Sequence, residues 1–496
     1  MHTDTEPLCE PQNPGAIPAS FRDPSGRLFR LGKRVLRVVN PAGVADVYAF
    51  LNSPQANRLV AAGSVIGTRA IEGDEREETL HDGGVEALFR AGRGAALLEH
   101  DPIAFPSFPY EWPPEMLYQA AALTLNLALE LLPEGLGLKD ATPYNVLFRG
   151  PQAVFVDVLS WERRDPVDAS WLPYAQFIRT FLLPLLAHEY FGFPLDQLLL
   201  TRRDGIEPEE VYRWAGPLRK WMPPFLSLVS VPTWLGRRHN PDDAGIYQRR
   251  HEGNPQKAGF ILQALLQGLR RTLARLQPAA GKKSTWSDYL NGNNNYSAPH
   301  LAAKKKFVEQ VLREFRPERV LDVGCNTGFF SAMAARSGAQ VVAIDYDPVV
   351  VGQTWRQAFE DRLDILPLVV NLTRPTPGAG WRNSECPSFL DRARGGFDAV
   401  LMLAVIHHLL VSERIPLAEI VDLAAELTTD LLIVEFIAPR DSMFVRLTRG
   451  REELHQGLDT AEFENCVRAR FEIARVEHVE GTFRWLYALR KRIKPA

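Results

Sequence analysis

The fold of the carboxy-terminal half is decided by the stretch RVLDVGCNTGFFS, Arg319–Ser331. The apolar run up to Asp322 predicts a β-strand, the glycine-containing segment predicts a tight turn, and the residues from Phe329 predict a helix. Gly324 and Gly328 let the backbone turn sharply and approach a ligand where a Cβ would collide. The amino terminus of the following helix presents free N–H groups to that ligand.

A second strand is predicted over Gln340–Ile344, and it ends in Asp345. An acid at this place can accept hydrogen bonds from both ribose hydroxyls of a nucleoside. The order of strand, turn, helix, strand and acid therefore predicts a nucleoside-bearing cofactor rather than an incidental glycine turn. A dinucleotide fingerprint needs G-x-G-x-x-G, and the third glycine is missing from its required place.

These motifs resemble those of class I S-adenosylmethionine-dependent methyltransferases: VLDVGCNTG is similar to their first motif and VVAIDYD to their second. The resemblance covers about residues 300–496 and implies S-adenosylmethionine as the cofactor. It implies that Asp322 and the loop backbone hold the methionyl end, that Asp345 holds the ribose, and that Tyr346 packs beside the adenine. The cofactor-binding residues implied in this way are Asp322, Gly324, Cys325, Asn326, Gly328, Asp345, Tyr346 and Asn371.

The rest of the half fits an α/β, Rossmann-like, seven-stranded sheet with helices on both faces. The further strands are expected at Ile365–Val370, Phe397–Leu403, Leu431–Phe436, Phe471–Val479 and Thr482–Leu489. The half is also similar to large bacterial methyltransferases that are described as nodulation-related.

Three residues are candidates for catalysis. A sulfonium methyl group is already activated, so alignment supplies most of the acceleration, and a base is needed only for a hydroxyl or a protonated amine. His407 and His408 follow the fourth strand in AVIHHLL, which is similar to the HHL motif of small-molecule methyltransferases, and Glu435 ends the fifth strand. The alternative is that the histidines begin a helix structurally and that Glu435 forms a salt bridge.

Two further segments are candidates for covering the site. Trp286–Tyr296 resembles the segment that folds over the cofactor in many relatives, which implies cofactor contacts for Tyr289 and Tyr296; the alternative is a polar linker. Residues 372–396 form a long connection between two strands, which favours an ordered lid on the acceptor side.

The amino-terminal half contains LKDATPYNVLF, Leu138–Phe148, followed by the strand-ending Asp157. In phosphoryl transfer one Asp orients the acceptor hydroxyl, while an Asn and a second Asp hold Mg²⁺. The spacing of Asp140, Asn145 and Asp157 resembles the catalytic loop of protein kinases and aminoglycoside phosphotransferases. The half therefore resembles a degenerate module of that type.

The departures from that pattern are large, because neither a G-x-G-x-x-G loop nor a V-A-I-K lysine precedes the motif. Lys33, in a hairpin predicted over Arg27–Val39, is a poor substitute. Three interpretations stay open: a structural β-hairpin, a degenerate module that binds a substrate, nucleotide or partner, and an active ATP-dependent phosphotransferase. A scaffold without any active site is a further alternative for the whole chain.

Composition shifts divide the chain into four parts. We expect a flexible tail over 1–25, a helix-rich α+β accessory or kinase-like domain over 26–276, a linker or cofactor lid over 277–300, and a methyltransferase domain over 301–496. Within the second part, residues 72–84 read as an acidic surface loop.

Charge and cysteine content narrow the function further. The chain has 496 residues, with 57 Lys+Arg against 60 Asp+Glu and a net charge of −3. This balance gives no support to a general nucleic-acid or membrane binder. The four cysteines have neither disulfide nor metal-binding spacing, so no metal is expected. The sequence predicts a cytoplasmic enzyme acting on a small-molecule acceptor.

Overall fold

A computed structural model describes residues 20, 22–81, 83–91, 94–236, 251–284, 298–449, 453 and 457–492. The strands are β1 Gly26–Leu31, β2 Arg34–Val39, β3 Thr68–Ala70, β4 Ala96–His100, β5 Leu136–Leu138, β6 Val146–Arg149, β7 Gln152–Phe155, β8 Trp161–Arg163, β9 Arg319–Val323, β10 Gln340–Asp345, β11 Ile365–Val369, β12 Phe397–Met402, β13 Thr428–Ile437, β14 Phe471–His478 and β15 Arg484–Lys491.

The α-helices span both halves of the chain. They are α1 Pro41–Leu51, α2 Pro54–Ala61, α3 Gly73–Leu80, α4 Gly83–Ala91, α5 Pro114–Leu131, α6 Tyr174–Phe177, α7 Leu183–Phe191, α8 Leu195–Thr201, α9 Pro208–Trp214, α10 Val231–Gly236, α11 Pro255–Ala274, α12 Ala298–Phe315, α13 Phe329–Arg336, α14 Pro348–Asp361, α15 Phe389–Ala393, α16 Ile406–Val411, α17 Leu417–Leu427, α18 Ser442–Thr448 and α19 Thr460–Arg468.

The carboxy-terminal half is built on a seven-stranded sheet in the order β11-β10-β9-β12-β13-β15-β14. Strands β9 to β13 are parallel, and β15 runs antiparallel between β13 and β14. The inner parallel strands are apolar on both faces, as expected when helices cover both sides of a sheet. The α/β architecture predicted from the sequence is confirmed.

Alternating residues of one strand enter two separate cores. Leu321 and Val323 of β9 pack with α16 and α17, whereas Val320 of the same strand packs with α12 and α13. Because the strands are parallel, their carboxyl ends meet at one edge of the sheet, and Asp345 lies at that edge.

The amino-terminal half combines a four-stranded antiparallel sheet, in the order β1-β2-β4-β3, with a mostly helical remainder, which confirms the α+β prediction. The hairpin predicted over Arg27–Val39 is present as β1–β2, and a second hairpin forms as β6–β7. The expectation of a loop over 72–84 is wrong, because α3 forms there with Asp74 and Glu75 in its first turn. Acidic side chains at that end interact favourably with the helix dipole.

Helix α5 is the central helix of this half. By length and composition, the segment Pro114–Glu134 is the one helix among the described residues that could cross a membrane, and 50% of its apolar window is buried inside the protein. It packs against α11, α14 and β7. These contacts are typical of a core helix.

The two halves share one apolar core. Trp355 of α14 donates a hydrogen bond through Nε1 to the backbone oxygen of Pro151, at 3.0 Å. The next residue, Arg356, forms an ion pair of 2.6 Å with Glu115 of α5. Helix α14 is therefore held from the amino-terminal side.

Residues 372–396 also pack against the amino-terminal half. Arg392 lies over the rings of Phe105 and Phe108, at 5.0 and 4.9 Å, and pairs with the fully buried Glu111. The rings of Phe105 and Phe389 are 5.9 Å apart. The segment thus serves as a contact between the halves, and the acceptor-side lid stays a prediction.

Candidate cofactor and acceptor site

The loop after β9 is held in a conformation that requires glycine. Gly324 and Gly328 have φ values of +69° and +77°. A Cβ on Gly324 would lie 2.6 Å from Cγ2 of Val405, and one on Gly328 would lie 2.5 Å from Cγ2 of Thr354. Both the left-handed backbone and the lack of space therefore exclude side chains here.

Neighbouring strands fix this loop through its backbone. The N–H groups of Gly324 and Cys325 donate to the carbonyl of Ile344 at 2.8 and 3.0 Å. The N–H of Asn326 donates to Oδ2 of Asp345 at 3.0 Å. The loop and the end of β10 therefore form one rigid cradle.

Asp345 is placed to receive a hydroxyl-bearing ligand. Its Oδ1 accepts the N–H of Asp347 at 3.1 Å, in addition to the bond from Asn326 to Oδ2. Burial raises the pKa of Asp345 to about 6, although these backbone N–H groups oppose the rise. Each carboxylate oxygen still has capacity for a further hydrogen bond. Tyr346, beside it, is 56% exposed.

Asp322 and Cys325 line the base of the cradle. Asp322 is buried, and its Oδ2 accepts the hydroxyl of Ser331 at 2.6 Å. Burial raises the pKa of Asp322 to about 7, against the opposing effects of Ser331 and Lys304. Burial also raises the pKa of the Cys325 thiol, so this residue contributes backbone and apolar surface rather than a thiolate.

Asn371 follows β11 and makes a local turn. Its Oδ1 accepts the N–H and the hydroxyl of Thr373 at 2.9 and 2.7 Å. The side-chain NH₂ is then the group with which Asn371 would contact an adenine. Tyr289 and Tyr296 lie outside the described residues, and their proposed contacts remain predictions.

His407 and His408 begin α16, with their rings 4.1 Å apart. His407 is 3% exposed, and its Nδ1 has no hydrogen-bond partner among the described residues. Burial, reinforced by the charges of His408, Arg484 and Lys304, holds the pKa of His407 well below its usual value. Burial also lowers the pKa of His408. Burial and these charges therefore favour the neutral imidazole of His407 at physiological pH.

Glu435 is fully buried, and its carboxylate contacts two cationic side chains. Its Oε2 accepts Nζ of Lys304 at 2.7 Å, and its Oε1 is 3.4 Å from Nη1 of Arg484. Arg484 also pairs with Asp441 at 2.8 Å. Because both carboxylate oxygens hold cations, the geometry fits the salt-bridge alternative for Glu435 better than a free base.

The sequence interpretation missed Lys304 and Arg484. Lys304 stands in the run Lys304–Lys306, which reads as a solvated helix face. Helical spacing indicates that Lys304 lies on the buried face, since it is three, four, seven and eight residues before the buried Phe307, Val308, Val311 and Leu312. Arg484 has no comparable local signal, because its partners come from distant parts of the chain.

The structure also brings together the residues of the amino-terminal motif. Nδ2 of Asn145 donates to Oγ of Ser160 at 3.1 Å, and Oγ of Ser160 donates to Oδ2 of Asp157 at 2.6 Å. Asp140 lies beside them and is contacted by Gln176 at 3.5 Å. Burial and the nearby Asp157 raise the pKa of Asp140.

A basic residue in this cluster escaped the sequence interpretation. Arg37 of β2 is 3% exposed and pairs with Oδ1 of Asp157 at 2.7 Å and also with Asp23. Burial works against ionisation of Asp157, but Arg37 and Ser160 outweigh it and lower the pKa of Asp157. The negative charge of Asp157 is therefore balanced by the guanidinium of Arg37.

Comparison with known proteins assigns the carboxy-terminal chemistry. Residues 297–436 match the family model described as a methyltransferase domain. Over 493 residues the chain is 29% identical to the nodulation protein NoeA of Rhizobium meliloti (strain 1021), covering 98% of each chain. The carboxy-terminal half thus carries a methyltransferase domain.

Two of the solved structures that share similarity with part of the chain are methyltransferases. The N-methyltransferase NodS from Bradyrhizobium japonicum WM9 is 13% identical, with a TM-score of 0.30 over 39% of this chain and 98% of that chain. The magnesium protoporphyrin IX methyltransferase ChlM from Synechocystis PCC 6803, with bound SAH, is 21% identical, with a TM-score of 0.30 over 40% of this chain and 90% of that chain.

Proposed function

We propose that this chain is a cytoplasmic class I methyltransferase that methylates an oxygen, nitrogen or carbon atom of a small-molecule acceptor. The observation that carries the proposal is the glycine cradle joined to Asp345, inside the region that matches the methyltransferase model. Because its full-length relative is a nodulation protein, nodulation is the process in which we expect the acceptor.

Different residues of the cradle would contact different parts of the cofactor. The carboxylate of Asp345 would accept the ribose hydroxyls, and the glycines would allow the backbone to approach the ligand closely. Asp322 would lie near the methionyl end. When bound, S-adenosylmethionine supplies an activated methyl group for in-line displacement.

His407 is the base that we propose for an acceptor hydroxyl or ammonium group. It is buried and neutral, and its Nδ1 has no hydrogen-bond partner among the described residues, so a proton can be received there. Lys304 and Arg484 carry positive charge close to it, which keeps the imidazole neutral before the acceptor binds and lowers its strength as a base. Glu435 would position these cations rather than touch the acceptor.

For the amino-terminal cluster we infer a structural role rather than phosphoryl transfer. An active phosphotransferase would need Asp157 free to hold Mg²⁺, whereas here Arg37 pairs with it at 2.7 Å. Asn145 and Ser160 complete the same internal network.

Replacement of the ribose-binding carboxylate tests the proposed function. Asp345→Ala should weaken S-adenosylmethionine binding by ~2–4 kcal/mol, because charged hydrogen bonds contribute ~1.5–3 kcal/mol each. Calorimetric titration measures this effect, with Asp361→Ala as the matched control, since Asp361 forms a surface pair with Arg336. Unchanged affinity in a folded Asp345→Ala protein would contradict the assignment.

A further inference from the structure

An ordered segment of the amino-terminal half exposes large apolar side chains. Leu218, Trp221 and Met222 are 80%, 67% and 58% exposed. They belong to one 3-10 turn, in which the N–H of Trp221 bonds to the oxygen of Leu218 at 3.2 Å and that of Met222 to Arg219 at 3.0 Å. Residues three apart lie on the same side of such a turn, so Leu218 and Trp221 share one side, and Met222 follows Trp221 directly in the chain. We call residues 216–223 the apolar turn.

Contacts with the neighbouring residues 230–234 fix the position of the apolar turn. The hydroxyl of the fully buried Ser230 donates to the oxygen of Lys220 at 2.7 Å. The rings of Trp221 and Trp234 are 5.1 Å apart, and Nε1 of Trp234 bonds to the hydroxyl of Tyr212 at 3.2 Å. The three exposed apolar side chains thus belong to a segment whose backbone is fixed by these contacts.

Two cations flank the apolar side chains. Arg219 lies over Tyr190 at 5.8 Å and donates to its backbone oxygen, and Nζ of Lys220 lies 3.9 Å from the ring centre of Tyr212. Within the part of the chain that the structure describes, neither Arg219 nor Lys220 forms an ion pair with a carboxylate. The surface therefore combines exposed apolar groups with positive charge.

The neighbouring acidic residues compensate little of this charge. In α9 and its cap, Glu207 pairs with Arg179 and Glu210 with Arg202. Glu209 adds one negative charge, against the positive charges of Arg213, Arg219 and Lys220. The local balance is positive although the whole chain carries −3.

We propose that the apolar turn docks the protein onto the surface of an anionic lipid bilayer. Trp with Leu and Met suits the boundary between headgroups and acyl chains, and Arg and Lys suit anionic headgroups. Three side chains bury much less than the ~800 Å² that a stable protein interface buries on each partner. Docking on a lipid surface needs only a few inserted apolar side chains. This docking site departs from the expectation, based on net charge, of no membrane contact.

Vesicle flotation of the full chain tests the proposal. We expect binding to phosphatidylcholine vesicles that contain phosphatidylglycerol, much weaker binding to phosphatidylcholine alone, and a decrease as salt screens the charges. Trp221→Ala should lower the binding about tenfold, because it removes a large apolar group from the lipid. The matched control is Trp381→Ala, since Trp381 is 61% exposed elsewhere on the surface and should leave binding unchanged.

A second measurement guards against a folding defect. Trp221→Phe preserves an apolar ring, so it should retain most vesicle binding while losing the fluorescence quenching that headgroup-level quenchers cause in the wild type. The proposal is overturned if the wild type ignores anionic vesicles or if folded Trp221→Ala binds them equally well. It is also overturned if sedimentation shows a dimer that Trp221→Ala dissociates, because the surface would then belong to a second copy of the chain.

Discussion

Asp345 ends a β-strand, Asp157 follows one, and both lie beside an Asn, yet their surroundings differ in charge. Asp345 is held by backbone N–H groups, which orient the carboxylate and leave its negative charge in place. Asp157 is held by the guanidinium of Arg37, which cancels that charge. The difference teaches that a motif becomes a binding site only when its charge and hydrogen-bonding capacity are left for a ligand.

The largest effect is expected where the cofactor cradle has no room. Gly324→Val should abolish measurable S-adenosylmethionine binding, because a left-handed β-branched residue and a clash with Val405 each cost about 1–3 kcal/mol. Gly395→Val is the matched control, since Gly395 has a φ of +58° and no atom near its Cβ position. Calorimetry should show normal affinity for the control, and equal affinity in both variants would mean that the cradle is not the cofactor site.

The next largest effect concerns the acceptor side of the same edge. His407→Gln should lower single-turnover methyl transfer by ~10²–10⁴-fold, the contribution of a positioned base, while cofactor affinity stays nearly unchanged. Because burial holds the pKa of His407 well below its usual value, the rate should not rise between pH 6 and 8 through this residue. Full activity in a protein that lacks both His407 and His408 would leave alignment alone as the source of catalysis.

The amino-terminal cluster should respond in stability rather than in affinity. Arg37→Met removes the cation between Asp157 and Asp23, and loss of one partner of a buried pair costs about 3–5 kcal/mol. Denaturant unfolding should therefore show a large loss, whereas S-adenosylmethionine binding by the folded variant should not change. A variant as stable as the wild type, or one with altered cofactor affinity, would undermine the contrast between the two clusters.

The smallest effect is a pH dependence of cofactor binding. Burial raises the pKa of Asp322 to about 7 and of Asp345 to about 6, so both carboxylates lose charge as the pH falls from 8 to 5.5. The sulfonium cation favours the ionised carboxylates, so affinity should increase with pH, by up to about tenfold per group and pH unit. Asp322→Asn should flatten the upper part of this profile, and affinity that decreased with pH would contradict the assigned roles.

Local sequence was sufficient for features that depend on neighbouring residues. Apolar runs, glycines that adopt a positive φ and polar residues at strand ends leave signals within a few residues. These signals predicted the strands, the glycine turn of 324–328 and Asp345.

Long-range pairing explains what was not predicted. Arg37 is separated from Asp157 by 120 residues, and Lys304 from Glu435 by 131. No local pattern reports such a partner, so a buried arginine or lysine reads as an exposed one. The same holds for residues 372–396, whose Arg392 finds Glu111 across 281 residues.

The contrast between the two clusters can be tested in one calorimetric experiment, in which the full chain is titrated first with S-adenosylmethionine and then with ATP and Mg²⁺. We predict saturable binding of one S-adenosylmethionine per chain and no further binding of ATP, because Arg37 neutralises Asp157. A chain that ignored S-adenosylmethionine, or that bound ATP and Mg²⁺ in a way that Asp157→Asn abolished, would contradict this account.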